Sequence, residues 1–200
     1  SAVLPADLAD AIKRLGEEDR GAILRTLADD AAGALLLELG ERDAVAMVRL
    51  LHPERARRIL GDMAPDEAAD LLRDMPDEAA DALLAGMDAE DAEEVRELLE
   101  YPENTAGGRM ATEFMPVSPE KRVSEVIEDL RAHLPAPEVA YYLYACDEAG
   151  RLAGVVSLRD LIVAAPEARI AEIMTRDVIR VGVDADQREA AELVARYSLL

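Results

Sequence analysis

The sequence predicts a fold in two unlike parts: an α-helical superhelix of short repeats, then an α/β region built from β-α-β-β-α units, the second of them incomplete. Three observations carry this. Apolar residues recur every 12 residues through the first hundred, a stretch rich in proline and glycine interrupts the chain at 101–109, and the periodicity beyond it alternates between strand and helix. The 200 residues, 50% of them hydrophobic, are enough for two small cores.

The repeat runs through Leu15, Leu27, Leu39, Leu51, Met63, Met75, Met87 and Leu99. Apolar pairs follow (Ile23-Leu24, Leu35-Leu36, Met47-Val48, Ile59-Leu60, Leu71-Leu72, Leu83-Leu84), and a small residue lies five positions after most anchors: Ala32, Ala44, Ala56, Ala68, Ala80 and Ala92. At about 100° per residue, a 12-residue step turns the apolar face by about 120°, so one straight helix cannot keep these residues on one side. Pro53, Pro65 and Pro76 fall just after an anchor, where proline can begin a helix, and Asp66 and Asp77 follow near the positive end of the helix dipole. Short helices of about two turns are marginal alone and must stack on neighbours, giving a superhelix over residues 1–100. The methionines are core in this reading, not a cofactor stripe.

Tyr101-Pro102-Glu103-Asn104-Thr105-Ala106-Gly107-Gly108-Arg109 ends the last of these helices and reads as a hinge. Past it, Val123, Val126, Ile127 and Leu130 mark one helical face. Val139 to Cys146 reads as a strand, Asp147-Glu148-Ala149-Gly150 as a turn, Leu152 to Ser157 as the second arm of a hairpin, and Leu158 to Ala164 as a helix. With a short strand after Met110, this completes one unit over 110–166. A second opens over 167–200: Ile173-Met174-Thr175 echoes Arg109-Met110-Ala111-Thr112, Asp177 to Val183 repeats the strand and Gln187 to Tyr197 the helix.

Forty-three acidic against 22 basic residues give a net charge of -21, which opposes binding to nucleic acid. Residues 62–100 alone hold fifteen carboxylates against Arg73 and Arg96. Such a face repels other acidic surfaces, and a divalent cation placed between them relieves the repulsion. Asp66 and Asp70, four apart, share one face of a short helix and form a candidate pair for Mg²⁺ or Ca²⁺, with oxygen donors and neither the His nor the Cys expected around zinc. Cys146 is one cysteine without an internal partner, fits a reducing compartment and reads as a small strand hydrophobe. No window approaches the roughly 18 apolar residues of a membrane span. His52 and His133 stand in unrelated contexts and no phosphate loop accompanies them, so no enzyme is expected.

The β-α-β-β-α order, with Gly154-Val155-Val156-Ser157-Leu158-Arg159-Asp160-Leu161 closing the hairpin into a helix, resembles a CBS domain. Tyr101, Thr105-Ala106-Gly107-Gly108 and Met110, between an acidic helical repeat and the start of a CBS pair, resemble the cytosolic region of MgtE-type magnesium transporters. Tyr141-Tyr142-Leu143-Tyr144, Ser157 through Val163 and Asp184-Ala185-Asp186-Gln187 are similar to that family as well.

The resemblance implies a regulatory region that senses Mg²⁺ on the cytoplasmic face of the membrane, pairs with a second copy through its CBS domains and precedes a transmembrane pore in the same full-length protein. It implies that bound Mg²⁺ bridges the acidic helical domain to the CBS region and favours a closed state. Asp66, Asp70 and Asp186 are the ligand positions it suggests; Arg188, standing where an acidic residue is expected, departs from the pattern, and Ala195 and Ser198 lie where further oxygen ligands would be sought. The alternative is an adenine-nucleotide module binding ATP or a related nucleotide. Ser157, Arg159 and Asp160 would then serve ribose and phosphate, against the plainer reading of Ser157 as a helix cap and the other two as surface charges.

Overall fold

The computed structural model describes residues 4–132 and 141–199, which fall into two compact units, Ser1–Thr112 and Glu113–Leu200. In the first, eight helices follow one another: α1 (Pro5–Ile12), α2 (Glu17–Thr26), α3 (Asp29–Leu37), α4 (Glu41–Val48), α5 (Pro53–Gly61), α6 (Pro65–Arg73), α7 (Asp77–Leu84) and α8 (Ala89–Glu100). The 12-residue period is one helix plus one turn. Leu39, Leu51, Met63, Met75 and Met87 sit in the turns, while the apolar pairs end the helices with Leu36, Met47, Ile59, Leu60 and Leu72 almost wholly buried. Pro53 and Pro65 occupy first-turn positions, where the missing N–H costs nothing.

Each helix packs on the one two places along: α1 on α3, α3 on α5 and α5 on α7 in one row; α2 on α4, α4 on α6 and α6 on α8 in the other. The small residues make this approach possible, for Ala32, Ala56 and Ala68 are all buried where the rows meet. Full burial of each leucine is worth about 1.5–3 kcal/mol, which supplies what helices of this length lack on their own.

Arginine side chains close the helix ends. Arg20 donates to the carbonyls of Leu15 (2.9 Å) and Lys13 (3.0 Å) past α1, Arg55 to Leu24 (2.7 Å) in α2, and Arg73 to Leu98 (3.1 Å) and Tyr101 (2.8 Å) at the end of α8. Arg55 also pairs with Asp29 at 2.8 Å. These carbonyls lie at helix ends, where intrahelical donors run out, and the guanidinium groups supply donors there; the Leu98 carbonyl also accepts from the Tyr101 N–H at 3.3 Å.

The stretch 101–109 packs on α8 through a 3-10 turn at Gly107–Arg109. The carbonyl of Pro102 accepts from both the backbone N–H (3.0 Å) and the hydroxyl (2.7 Å) of Thr105, whose Oγ1 in turn accepts from the Gly108 N–H at 3.2 Å. Gly107 and Gly108 are buried in close approach: a Cβ on Gly107 would stand 2.6 Å from the Tyr101 ring, and one on Gly108 only 2.3 Å from the Pro102 carbonyl oxygen.

In the second unit, β1 (Met115–Val117), α9 (Val123–Ala132), β2 (Tyr142–Cys146), β3 (Leu152–Ser157) and α10 (Leu158–Val163) follow the expected order. The sheet runs β1-β2-β3, with β1 parallel to β2 and β3 antiparallel, so that Tyr142 faces Ser157. The hairpin turn is tied by Asp147 Oδ1, which accepts from the N–H groups of Ala149 and Arg151 at 2.9 Å, and Gly150 takes the left-handed conformation (φ 74). Leu143, Ala145, Val156, Leu161 and Ile170 form the centre of its core. Val139, Ala140 and His133 lie outside the described residues.

Two differences follow from pairing. A short helix, α11 (Ile170–Ile173), lies near the start of the 167–200 segment expected to open a second unit, and residues 177–183 form no strand. Among the described residues, Thr175 is the one here that bridges to the sheet, exchanging two backbone bonds with Val155 at 2.9 and 3.0 Å; an extended segment with no further ladder partner among them does not become a strand. Helix α12 (Gln187–Tyr197) forms with the expected bounds, and none of its residues is buried.

Replacing Gly108 by Ala drives a Cβ into the backbone of Pro102 and Glu103, and is expected to lower the stability of the helical unit by about 1–3 kcal/mol. Urea unfolding followed by helical circular dichroism measures it; Gly182→Ala, with open space around the new methyl, should leave the midpoint in place.

Candidate functional site

Helix α6 brings together the acidic pair that the sequence singled out. Asp66 and Asp70 both face a cleft of about 220 Å³ in the helical unit, walled on its apolar side by Leu36, Leu39, Met63 and Leu71 and on its polar side by Arg73, Glu103 and Arg109. Proline at the first helical position and Glu67, whose carboxylate accepts from the Ala64 N–H at 3.3 Å, set the start of α6 and so the direction of the pair. Asp66 Oδ1 is buried and has no hydrogen-bond partner among the described residues, although nearly every buried carboxylate oxygen is satisfied in a folded protein.

Asp70 is exposed as a residue, yet its carboxyl lies against the cleft wall, and this partial burial raises its pKa above the ordinary 3.8. The guanidinium groups of Arg109 and Arg73 act in the opposite direction, and the carboxylates of Asp66 and Glu103 add to the rise. Two carboxyl groups bordering one cleft, one with an orphaned oxygen, form a donor set suited to a hard cation completed by water. Among the described residues no three His, Cys, Asp or Glu side chains gather into a full cage. Asp186 stands in the second unit as the cap of α12, its Oδ1 accepting from the Arg188 N–H at 2.8 Å.

Because folding raises the Asp70 pKa, the folded state holds its proton more tightly. The helical unit should therefore lose stability as pH rises from about 3.8 through the raised value. Chemical denaturation across that range checks it, and Asp70→Asn should flatten this part of the profile.

The second unit carries a cleft of about 280 Å³ beside β2 and β3, lined by Tyr142, Tyr144, Val155, Ser157, Asp160, Thr175, Asp177 and Ile179. Ser157 caps α10: its Oγ accepts from the Asp160 N–H at 3.1 Å and donates to Asp160 Oδ2 at 2.6 Å. Ser157 is thus the expected helix cap, whereas Asp160, expected as a surface charge, is partly buried as its partner in the cap; both border the cleft. Arg159 is exposed and borders a neighbouring groove with Tyr141 and Ile162. Thr175 and Asp177 were not foreseen as cleft residues; the echo at Ile173-Met174-Thr175 was the signal that placed them at a repeated position. Arg109 was likewise read only as part of a hinge, and its place beside Asp70 comes from the 3-10 turn.

A helical superhelix followed by a small mixed sheet with a strand-to-helix junction of this kind is the architecture of a helical domain followed by a CBS domain. The chain belongs to the family of the MgtE intracellular N domain, whose model matches residues 4–104, and a CBS domain model matches residues 106–167. It is 50% identical over 104 residues to the magnesium transporter MgtE of Thermus thermophilus and 38% identical over 112 residues to that of Enterococcus faecalis. These matches cover 52% and 56% of the chain, and 23% and 25% of those relatives' length. Among solved structures, it is similar to the cytosolic domain of the Mg²⁺ channel MgtE in complex with ATP (TM-score 0.92, 39% identity, 98% of this chain and 80% of that one). It is also similar to the soluble part of a magnesium transporter (TM-score 0.91, 30% identity, 99% and 78%). No helix among the described residues is long and apolar enough to cross a membrane.

Proposed function

We propose that this chain is the Mg²⁺-sensing regulatory region of a magnesium transporter, acting on the cytoplasmic face of the membrane on a transmembrane pore in the same full-length protein. The observation that carries the reading is the Asp66/Asp70 pair with its buried, unpartnered oxygen, set in a segment of fifteen carboxylates and two arginines. The names and structures of the relatives favour Mg²⁺ as the cation. A bound Mg²⁺ supplies two positive charges and a shell of ordered water. Asp66 and Asp70 would orient that shell within the helical unit, and Asp186 is a further candidate carboxylate within the second unit. When the ion leaves, acidic surfaces repel and the compact population falls; the shift is as large as the ion's preference for the compact state. Association of two copies through their CBS domains is part of this reading, and no turnover is.

Small-angle scattering during Mg²⁺ titration tests it. Wild type should contract, and Asp66→Asn/Asp70→Asn should remain extended at the Mg²⁺ concentration that saturates wild type. A wild type whose dimensions ignore Mg²⁺ would sink the sensor reading.

A second reading coexists with it: the cleft beside β2 and β3 takes an adenine nucleotide. It rests on the apolar wall of Tyr142, Val155 and Ile179 facing the carboxylates of Asp160 and Asp177, an arrangement suited to a base and a ribose, with Arg159 at hand for phosphate. Since Asp160 already serves Ser157, Asp177 is the better acceptor for ribose hydroxyls. Asp177→Ala should weaken ATP binding about tenfold in calorimetry; unchanged affinity would remove Asp177 from the site.

A further inference from the structure

We propose that the cleft beside β2 and β3 discriminates against bare phosphate: it takes an adenine nucleoside, and takes a nucleoside polyphosphate once a divalent cation has neutralised it. The inference rests on the reading of that cleft as a nucleotide site and names the charge state of the ligand it admits.

Size and charge point the same way. The cleft holds about 280 Å³, below the roughly 300–1,000 Å³ of ordinary small-molecule sites, which suits a base and a ribose and leaves a triphosphate outside. Its charged groups are Asp160 and Asp177; among the described residues no Lys, Arg or His lines it. A site built for phosphate presents the reverse, guanidinium or ammonium groups or the free N–H groups of a helix start. Here the start of α10 is already taken by its own carboxylate. The Asp160 N–H donates to Ser157 Oγ at 3.1 Å, while the Ser157 N–H and hydroxyl donate to Asp160 Oδ2 at 3.3 and 2.6 Å. The arginines nearest in sequence do not line the cleft either: Arg159 borders the neighbouring groove with Tyr141 and Ile162, and Arg176 donates to the Ala171 carbonyl at 2.9 Å.

A ribose held by Asp177 brings its own 5′ carbon, and any phosphate on it, close to that carboxylate. Asp177 is exposed and Asp160 partly so, hence solvent moderates the repulsion, and the penalty on a bare triphosphate is on the order of tenfold. A divalent ion carried by the phosphates removes most of that penalty without a metal ligand in the cleft. Nucleotide occupancy then rises with Mg²⁺ through the charge of the ligand itself.

Calorimetric titration of the full chain with adenosine and with ATP, each in EDTA and in excess Mg²⁺, tests the discrimination. Asp66→Asn/Asp70→Asn serves as the parent protein, so that the acidic pair of the helical unit takes no part, and the series is repeated with Asp177→Asn added. Adenosine should bind equally with and without Mg²⁺, and ATP about tenfold more weakly in EDTA than in Mg²⁺. Asp177→Asn keeps an acceptor oxygen and loses the charge, so it should shrink that ATP ratio by about threefold. ATP binding as tightly in EDTA as in Mg²⁺, or binding where adenosine does not, overturns the discrimination. Mg²⁺ tightening adenosine as much as ATP overturns it too, since the metal would then act on the protein. A ratio untouched by Asp177→Asn overturns repulsion by the cleft as its cause. If neither ligand binds under any condition, the nucleotide reading falls and this inference with it.

Discussion

Contact between alternate helices is the constraint on which the first unit depends. Helices of eight to twelve residues do not persist in water, and each turn delivers the next apolar pair to a face rotated by about a third of a circle. The only way to bury successive faces is for the helices to stack in two rows, as α2, α4, α6 and α8 do along one side and α1, α3, α5 and α7 along the other. Buried alanines such as Ala32 and Ala68 let the rows approach, and the turn residues Leu39 and Met75 seal the gaps between helices.

The same architecture gives several arginines a second task beside pairing with carboxylates. A chain of short helices has many exposed C-terminal carbonyls, and Arg20, Arg55 and Arg73 spend their donors on them. Arg20 and Arg55 also pair with the carboxylates of Asp43 and Asp29. Around α6 lies a cleft lined by Asp66 with its orphaned oxygen, by Asp70, whose pKa burial raises, and by two guanidinium groups, one closing α8 and one at the surface.

The second unit solves a different problem. The β2–β3 hairpin, tied at Asp147 and Gly150, sets the Ser157 cap at the start of α10 and leaves a cleft bordered by tyrosines on one side and Thr175 to Ile179 on the other. Its floor depends on one pair of backbone bonds between Val155 and Thr175, which bring Asp177 next to Asp160 in the lining.

The superhelix, the hairpin, α10, α12 and the Asp66/Asp70 pair were all legible in the sequence, because each depends on neighbours a few positions apart: helical spacing, a proline start, an Asp-x-x-Gly turn, a Ser-x-x-Asp cap. Residues 177–183 were misread as a strand because alternation predicts extended backbone, while a strand also needs a partner that local pattern does not specify. Arg73 and Arg109 looked like two surface charges among many. Their opposite roles, one closing α8 and one facing Asp70, arise from contacts across twenty-five and thirty-nine positions of chain. Sequence by itself determined which segments are helices, which faces are apolar and how much negative charge the unit bears, since these are properties of composition and period. Only the tertiary structure decided which oxygen is left without a partner and which arginine stands beside it, because burial and Coulomb contact depend on distances that folding sets between residues far apart in the chain.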